Sequence, residues 1–288
     1  MIEQILLSAD IAIGMLAGAL ISPYYDLGRA YSVKLKTEEG KFEPVIDTPR
    51  KKHGLIVFGS GDAKFNEIVS DTSDLVYRAL KDRSYNDDNL YILGEKEYLK
   101  EGLDCHILPS SKKQLVEVLQ HLYKDVSCDD SFFMYIFNHG FKTGGILPIG
   151  QSVFSLDEGI VREEELEELL SDLHPNYSIT YFNNCFSGGF ALRLGKGRNI
   201  AISTSKKSKV TLGRCRTEES PGISSLFTHF FYSSSKDASI DEAFDFATLK
   251  QVEFILGLFK RREIIKRIRQ KQTPHLVYGK INPRSVKL

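Results

Sequence analysis

Short apolar runs alternate with helical periods along the middle of the chain, and this alternation limits the fold more than any other feature. Five runs have the length of buried strands, at 55–58, 90–93, 132–137, 178–182 and 199–203. Between them, hydrophobic residues recur every three or four positions, as they do along one face of a helix. Because strand–helix–strand units join parallel strands, the pattern predicts a mostly parallel sheet between two layers of helices, an α/β/α sandwich.

Both ends of the chain depart from this alternation. The N-terminal part contains an apolar run at 11–21, which we interpret as a packed or interfacial helix, and a segment at 31–47 that predicts a hairpin. The last third of the chain is dominated by helical periods and is expected to be helical. We therefore divide the chain into an accessory segment, residues 1–50, and one large domain, residues 51–288.

Composition indicates an ordinary globular protein, and the balanced charge argues neither for nor against a polyanionic partner. Of the 288 residues, 42% are hydrophobic, and 38 lysines and arginines balance 38 aspartates and glutamates. The basic stretch at 260–271 is best interpreted as a solvated helix end, so nucleic-acid binding is not expected. The apolar N-terminal run is too short to span a bilayer, and membrane contact through residues 5–21 is not favoured. We expect a cytoplasmic protein.

The cysteines argue against a metal site and against a disulfide scaffold. Four cysteines are widely and irregularly spaced, at Cys105, Cys128, Cys185 and Cys215, with no CxxC pair among them. The histidines show no ligand spacing either, so no metal and no cofactor are expected. Four such cysteines in a chain of this length favour a reducing compartment.

Two chemically capable side chains directly follow neighbouring predicted strands. His139, with Gly140 after it, follows the third strand, and Cys185 follows the fourth. In parallel sheets, ligands bind beyond the carboxyl ends of the strands, where both residues are expected. A lone cysteine after a buried strand is usually a core residue, so the prediction depends on the pair. Together a thiolate, an imidazole and the N–H groups of Gly140 and Cys185 could carry out acyl transfer.

Two sequence blocks resemble a known signature. FFMYIFNHG at 132–140 and SITYFNNCFSGG at 178–189 are similar to the His-Gly and Cys-x-Ser-Gly motifs of the clan that contains caspases, metacaspases and legumains. The glycine-rich stretch that follows the histidine is similar to legumains, and the resemblance extends over about residues 54–250.

The resemblance implies a caspase-like fold and hydrolysis of peptide bonds without a metal or cofactor. Cys185 would be the nucleophile, and His139 would protonate the leaving amine. The backbone N–H groups of Gly140 and Cys185 would form the oxyanion hole. A polypeptide is then the expected substrate.

The resemblance also implies where the substrate is held. The position two before the nucleophile lines the primary specificity pocket in these relatives, and here it is Asn183, where legumains and metacaspases carry an acidic residue. Glu67 or Asp62 could supply a negative charge to this pocket, which would favour a basic substrate residue before the scissile bond over Asn or Asp. The alternative is that both are solvated loop carboxylates. Ser203 and Ser205 are candidate contacts to an extended peptide held by β-augmentation.

Other outcomes are compatible with the same residues. The site could ligate peptides, if an amine outcompetes water for the thioester. Alternatively, the chain could be a catalytically silent module that binds peptides or scaffolds partners. A peptidase could also be held inactive until a regulatory partner binds, through masking by residues 1–50 or through processing of the loop at 206–222.

Overall fold

The protein is represented by a computed structural model, which describes residues 32–59, 61, 63–143, 151–205, 226–258 and 273–288. The predicted apolar helix at 11–21, the loop at 206–222 and the basic stretch at 260–271 lie outside these ranges.

The strands of the described ranges are short, and most of them are buried. In chain order they are β1 (Val33–Lys36), β2 (Lys52–Phe58), β3 (Leu90–Leu93), β4 (His106–Leu108), β5 (Ser131–Asn138), β6 (Gly140–Lys142), β7 (Ser152–Leu156), β8 (Gly159–Arg162), β9 (Tyr177–Asn184), β10 (Asn199–Ser203) and β11 (His275–Tyr278). All five of the predicted strands are present.

The helices differ widely in length. They are α1 (Ala63–Lys81), α2 (Lys112–Asp125), α3 (Glu163–Ser171), α4 (Gly188–Leu194), α5 (Leu226–Tyr232) and α6 (Ile240–Leu258), with 3₁₀ turns at Asp87–Asn89, Lys96–Tyr98 and Pro283–Ser285. Ser239 and Glu242 exchange capping bonds at the start of α6, as the sequence predicts: the Ser239 N–H donates to Glu242 Oε2 at 2.8 Å. None of these helices has the length and apolarity needed to cross a membrane.

Eight strands form one sheet in the order β1-β11-β10-β9-β5-β2-β3-β4, and β6, β7 and β8 form a small antiparallel sheet. The six strands from β10 to β4 are parallel to their neighbours. β11 runs antiparallel to β10, and β1 is parallel to β11. The mostly parallel sheet predicted from the sequence is therefore confirmed.

Helices cover both faces of the large sheet, which gives the expected three layers. Along β5, Phe133, Tyr135 and Phe137 belong to the core beneath α1, α5 and α6, whereas Met134 and Ile136 belong to the core beneath α2, α3 and α4. A strand covered on both faces must be apolar on both, which explains its unbroken hydrophobic run. Odd-numbered residues of β5 thus point to the α1 side of the sheet.

The hairpin predicted at 31–47 is wrong. Val33 and Lys36 of β1 pair with His275 and Tyr278 of β11, and Glu43 makes an isolated bridge with Ile281 instead of pairing back onto β1. An edge strand exposes unpaired backbone groups, and here β1 satisfies those of β11. Residues 33–36 of the accessory segment therefore belong to the main sheet.

A tight turn with an unusual backbone joins β9 to α4. Cys185, Phe186 and Ser187 form this turn, and Phe186 adopts a φ of 60°. A left-handed conformation costs a residue with a Cβ roughly 1–2 kcal/mol, and nothing in the sequence signals it at a phenylalanine. The half-buried Phe186 is thus held in a strained conformation next to Cys185.

Two substitutions that both remove the Phe186 ring should separate the strain from the loss of packing. Asparagine tolerates the left-handed region, whereas the β-branched valine does not. We expect Phe186→Asn to exceed Phe186→Val in free energy of unfolding by about 1–2 kcal/mol in denaturant titrations. Equal stability of the two variants would contradict a strained turn.

Candidate active site

Parallel pairing brings the two sequence motifs to the same edge of the large sheet. Asn138, the last residue of β5, lies opposite Asn184, the last residue of β9. His139 and Cys185 are the next residues along the two chains, and neighbouring strands lie about 4.8 Å apart. The structure therefore places the imidazole and the thiol on adjacent strand ends.

Both side chains follow strand positions that point to the α1 side, and neither is sealed in the core. His139 continues the odd-numbered series of β5, and Cys185 continues that of β9, where Ile179 and Tyr181 belong to the same core. His139 is exposed and Cys185 is partly exposed. Cys105, Cys128 and Cys185 form no disulfide with one another. His139 and Cys185 are therefore both open to solvent.

An aromatic stack orients His139. Its ring lies on that of Phe65 in α1, with centroids 4.2 Å apart and planes inclined by 26°, and Phe65 stacks in turn on Phe137 at 5.0 Å. The backbone N–H of His139 donates to Asn138 Oδ1 at 2.7 Å. Phe65 was not predicted as part of the site, because a phenylalanine in a helical period carries no signal of contact with a distant histidine.

The loop after β2 also lies close to this imidazole. A Cβ at Gly61 would come within 3.0 Å of His139 Nε2 and 2.9 Å of a ring carbon of Phe65. A residue with a side chain would thus crowd the stacked rings, so glycine permits the close approach of this loop.

Gly140 is in van der Waals contact with the backbone of Cys185. A Cβ built on Gly140 would overlap the Cys185 carbonyl oxygen and would lie 2.7 Å from Asn184 Nδ2. That amide nitrogen itself donates to the Cys185 carbonyl oxygen at 3.1 Å. Only glycine allows the His-Gly segment and the cysteine turn to approach so closely.

The N–H of Gly140 is directed away from β7. In an antiparallel pair, opposed residues alternate between those that exchange backbone hydrogen bonds and those that do not. His139 and Ser155 are a bonding pair, since the Ser155 N–H donates to the His139 carbonyl oxygen at 3.2 Å. Gly140 and Phe154 form the next pair, which does not bond across the strands. This geometry suits the donor role expected of the Gly140 amide.

Asn183 lies beneath the cysteine turn on the α1 side. Only 1% of its surface is exposed, and its Nδ2 donates to the Tyr135 hydroxyl at 2.9 Å. Nearby, the hydroxyl groups of Tyr181 and Thr228 are 2.9 Å apart. Burial raises the pKa of Tyr181 and of Tyr232 well above the usual value, which favours the uncharged form of these two side chains.

Glu67, one of the two predicted acidic contributors, does not join this cluster. Glu67 is exposed on α1, two residues beyond Phe65 and hence about 200° around the helix from the ring that faces His139. Asp62 lies outside the described residues. The predicted negative charge in the pocket is therefore not supplied by Glu67 as the structure places it.

The prediction that the side chains of Ser203 and Ser205 contact substrate is corrected by their burial. Both are 0% exposed. Ser203 Oγ donates to the Ser205 carbonyl oxygen at 3.1 Å, and Ser205 Oγ lies 2.9 Å from Ser187 Oγ. β10 is also paired on both sides, with β9 and β11, so it offers no open edge to a peptide.

Comparison with known proteins supports the fold and adds nothing on chemistry. No family model matches the chain, and no curated protein matches it. Among solved structures, the crystal structure of protein GSU0716 from Geobacter sulfurreducens is similar, with a TM-score of 0.52 and 12% sequence identity. The alignment covers 83% of this chain and 97% of that one. At this identity the similarity shows a shared α/β fold alone.

Proposed function

We propose that this chain is a cysteine peptidase of the caspase/legumain type, which hydrolyses peptide bonds through a thioester on Cys185. The observation that carries the proposal is the contact of Gly140 with the Cys185 backbone, which joins the His-Gly and Cys-x-Ser-Gly motifs at one edge of the sheet. The accessibility of both His139 and Cys185 supports it further. The substrate is a polypeptide, and a reducing compartment such as the cytoplasm would preserve the thiol.

The proposed reaction needs one nucleophile, one proton carrier and two amide donors. Cys185 Sγ, as thiolate, attacks the carbonyl carbon of the scissile bond, and the resulting oxyanion accepts hydrogen bonds from the N–H groups of Gly140 and Cys185. Protonated His139 gives its proton to the departing amine, and the thioester remains. Water then attacks the thioester while His139 accepts a proton, which releases the acid and restores the Cys185 thiolate and protonated His139.

Covalent labelling tests the nucleophile. We expect a peptide probe with an electrophilic ketone to modify the full chain at Cys185, and Cys185→Ala to abolish the modification. His139→Ala should slow it by about 100-fold or more, since general acid–base groups contribute factors of this size. Cys128→Ala is the matched control, because that thiol is exposed and lies outside the site.

The labelling experiment also separates the proposal from its rivals. Modification of Cys128 at the same rate as Cys185 would indicate surface reactivity and contradict the proposal. A chain that binds peptides without any labelling would instead be a silent binding module. Mass spectrometry of products formed with an added amine should show mainly free carboxylates, whereas a peptide ligase would give the amine adduct.

Substitution of Gly140 tests the cleft geometry. In Gly140→Ala the new methyl group would overlap the Cys185 carbonyl oxygen and displace an oxyanion donor. Loss of one such donor lowers kcat by about 10²–10³-fold, so we expect a loss of that size on a cleaved peptide. Gly94→Ala is the control, because its Cβ would meet only the flexible Leu99 side chain at 3.3 Å and the Phe58 Cβ at 3.6 Å. Unchanged turnover in Gly140→Ala would exclude this glycine from the site.

A further inference from the structure

Two buried serines hold the turn that carries Cys185. β9 ends at Asn184 and α4 begins at Gly188, so the turn has only three residues, of which Ser187 is the last. Ser205 lies two residues beyond β10. Both serines are 0% exposed, so solvent and substrate cannot contact their side chains.

The two serines are joined by reciprocal hydrogen bonds. The Ser187 N–H donates to Ser205 Oγ at 3.1 Å, and the Ser205 N–H donates to Ser187 Oγ at 3.2 Å. The two hydroxyl oxygens are 2.9 Å apart. In addition, Ser205 Oγ donates to the Asn184 carbonyl oxygen at 3.2 Å.

The hydroxyl protons have one arrangement that satisfies every contact. A serine hydroxyl has a single proton and two lone pairs. The Ser205 proton is used on the Asn184 carbonyl, so the Ser187 hydroxyl must donate to Ser205 Oγ. Ser205 Oγ then accepts twice and donates once, which fills its capacity. Removing either hydroxyl would leave buried donors or acceptors unpaired, at a cost in stability.

These bonds bracket the catalytic turn. Ser205 contacts Asn184 on one side of Cys185 and Ser187 on the other, so the backbone of the two residues between them, Cys185 and Phe186, has little freedom. The same turn contains Phe186 with its left-handed φ of 60°. Strained conformations at functional sites persist only where surrounding contacts hold them, and the two serines supply such contacts.

We propose that Ser187 and Ser205 form a serine clamp, a pair of positioning residues that fix the Cys185 backbone for attack. The clamp rests on the proposed peptidase function and deepens it, since neither serine touches the substrate. Displacement of a reacting group by about 1 Å can lower a rate by about 100-fold. Loss of the clamp should therefore reduce turnover and leave binding unchanged.

The test uses Ser187→Ala, Ser205→Ala and the double variant of the full chain. With a peptide that the unmodified chain cleaves, we expect each single variant to lower kcat by about 10–100-fold, with KM within about two-fold. The double variant should be no slower than the slower single variant, because the two serines act as one unit. Ser131→Ala is the matched control: this serine is 1% exposed and begins β5, at the opposite end of the sheet from the cleft.

Each result separates failure of the clamp from failure of the peptidase proposal. Absence of Cys185 labelling and of cleavage in the unmodified chain would reject the peptidase proposal and the clamp with it. If the unmodified chain is active, wild-type kcat in Ser205→Ala overturns the clamp alone. A raised KM at constant kcat in Ser205→Ala would make Ser205 a substrate-binding determinant and overturn the clamp. A double variant whose loss of kcat equals the product of the two single losses would show that the serines act independently, which also overturns it.

Titration with the electrophilic probe guards against misfolding. It counts only molecules with a competent Cys185, so kcat is expressed per active site. Should Ser205→Ala fail to fold, Ser187→Ala carries the test, because it removes the bond from the Ser205 N–H and the contact between the two hydroxyl groups. We expect thermal unfolding to show that the variants are folded at the assay temperature, while their kcat per active site is lowered. If activity falls only in proportion to the folded fraction, the serines do not act by positioning Cys185.

Discussion

The parallel pairing of β5 with β9 is the constraint on which the candidate site depends. Asn138 lies opposite Asn184, and this register brings the next residues, His139 and Cys185, to one edge and one side of the sheet. Side chains alternate along a strand, so a slip of one residue would send one of the two to the α2 side. The strands that hold this register contribute apolar side chains to the cores on both faces of the sheet.

Small residues allow the loops beyond these strands to meet. Gly140 lies against the backbone of Cys185, and Gly61 lies beside the imidazole of His139. Phe65 of α1 supports the same ring from the helical layer. The cleft thus combines segments distant in the chain, and each contributes either a reactive group or the space for one. Such convergence at the carboxyl edge is a general property of parallel sheets.

Beneath the cleft, polar groups are buried, and most of those described here are hydrogen-bonded. Asn183 donates to Tyr135, and Ser187 and Ser205 bond to each other. An unsatisfied buried polar group costs about 1–3 kcal/mol, so a network of this kind has few alternative arrangements. Burial also raises the pKa of Tyr181 and of Tyr232 in this region well above the usual value, which disfavours negative charge on these two side chains.

The sequence by itself determined the five strands, the three-layer sandwich and the candidate pair His139 and Cys185, because apolar runs and short motifs are local signals. The tertiary structure alone decided that β1 joins β11, since its partner lies some 240 residues later in the chain. It also decided that Ser203 and Ser205 turn inward and that Phe65 supports the imidazole. A local pattern states which residues share a face, but only packing against distant elements decides which faces become buried and what they touch.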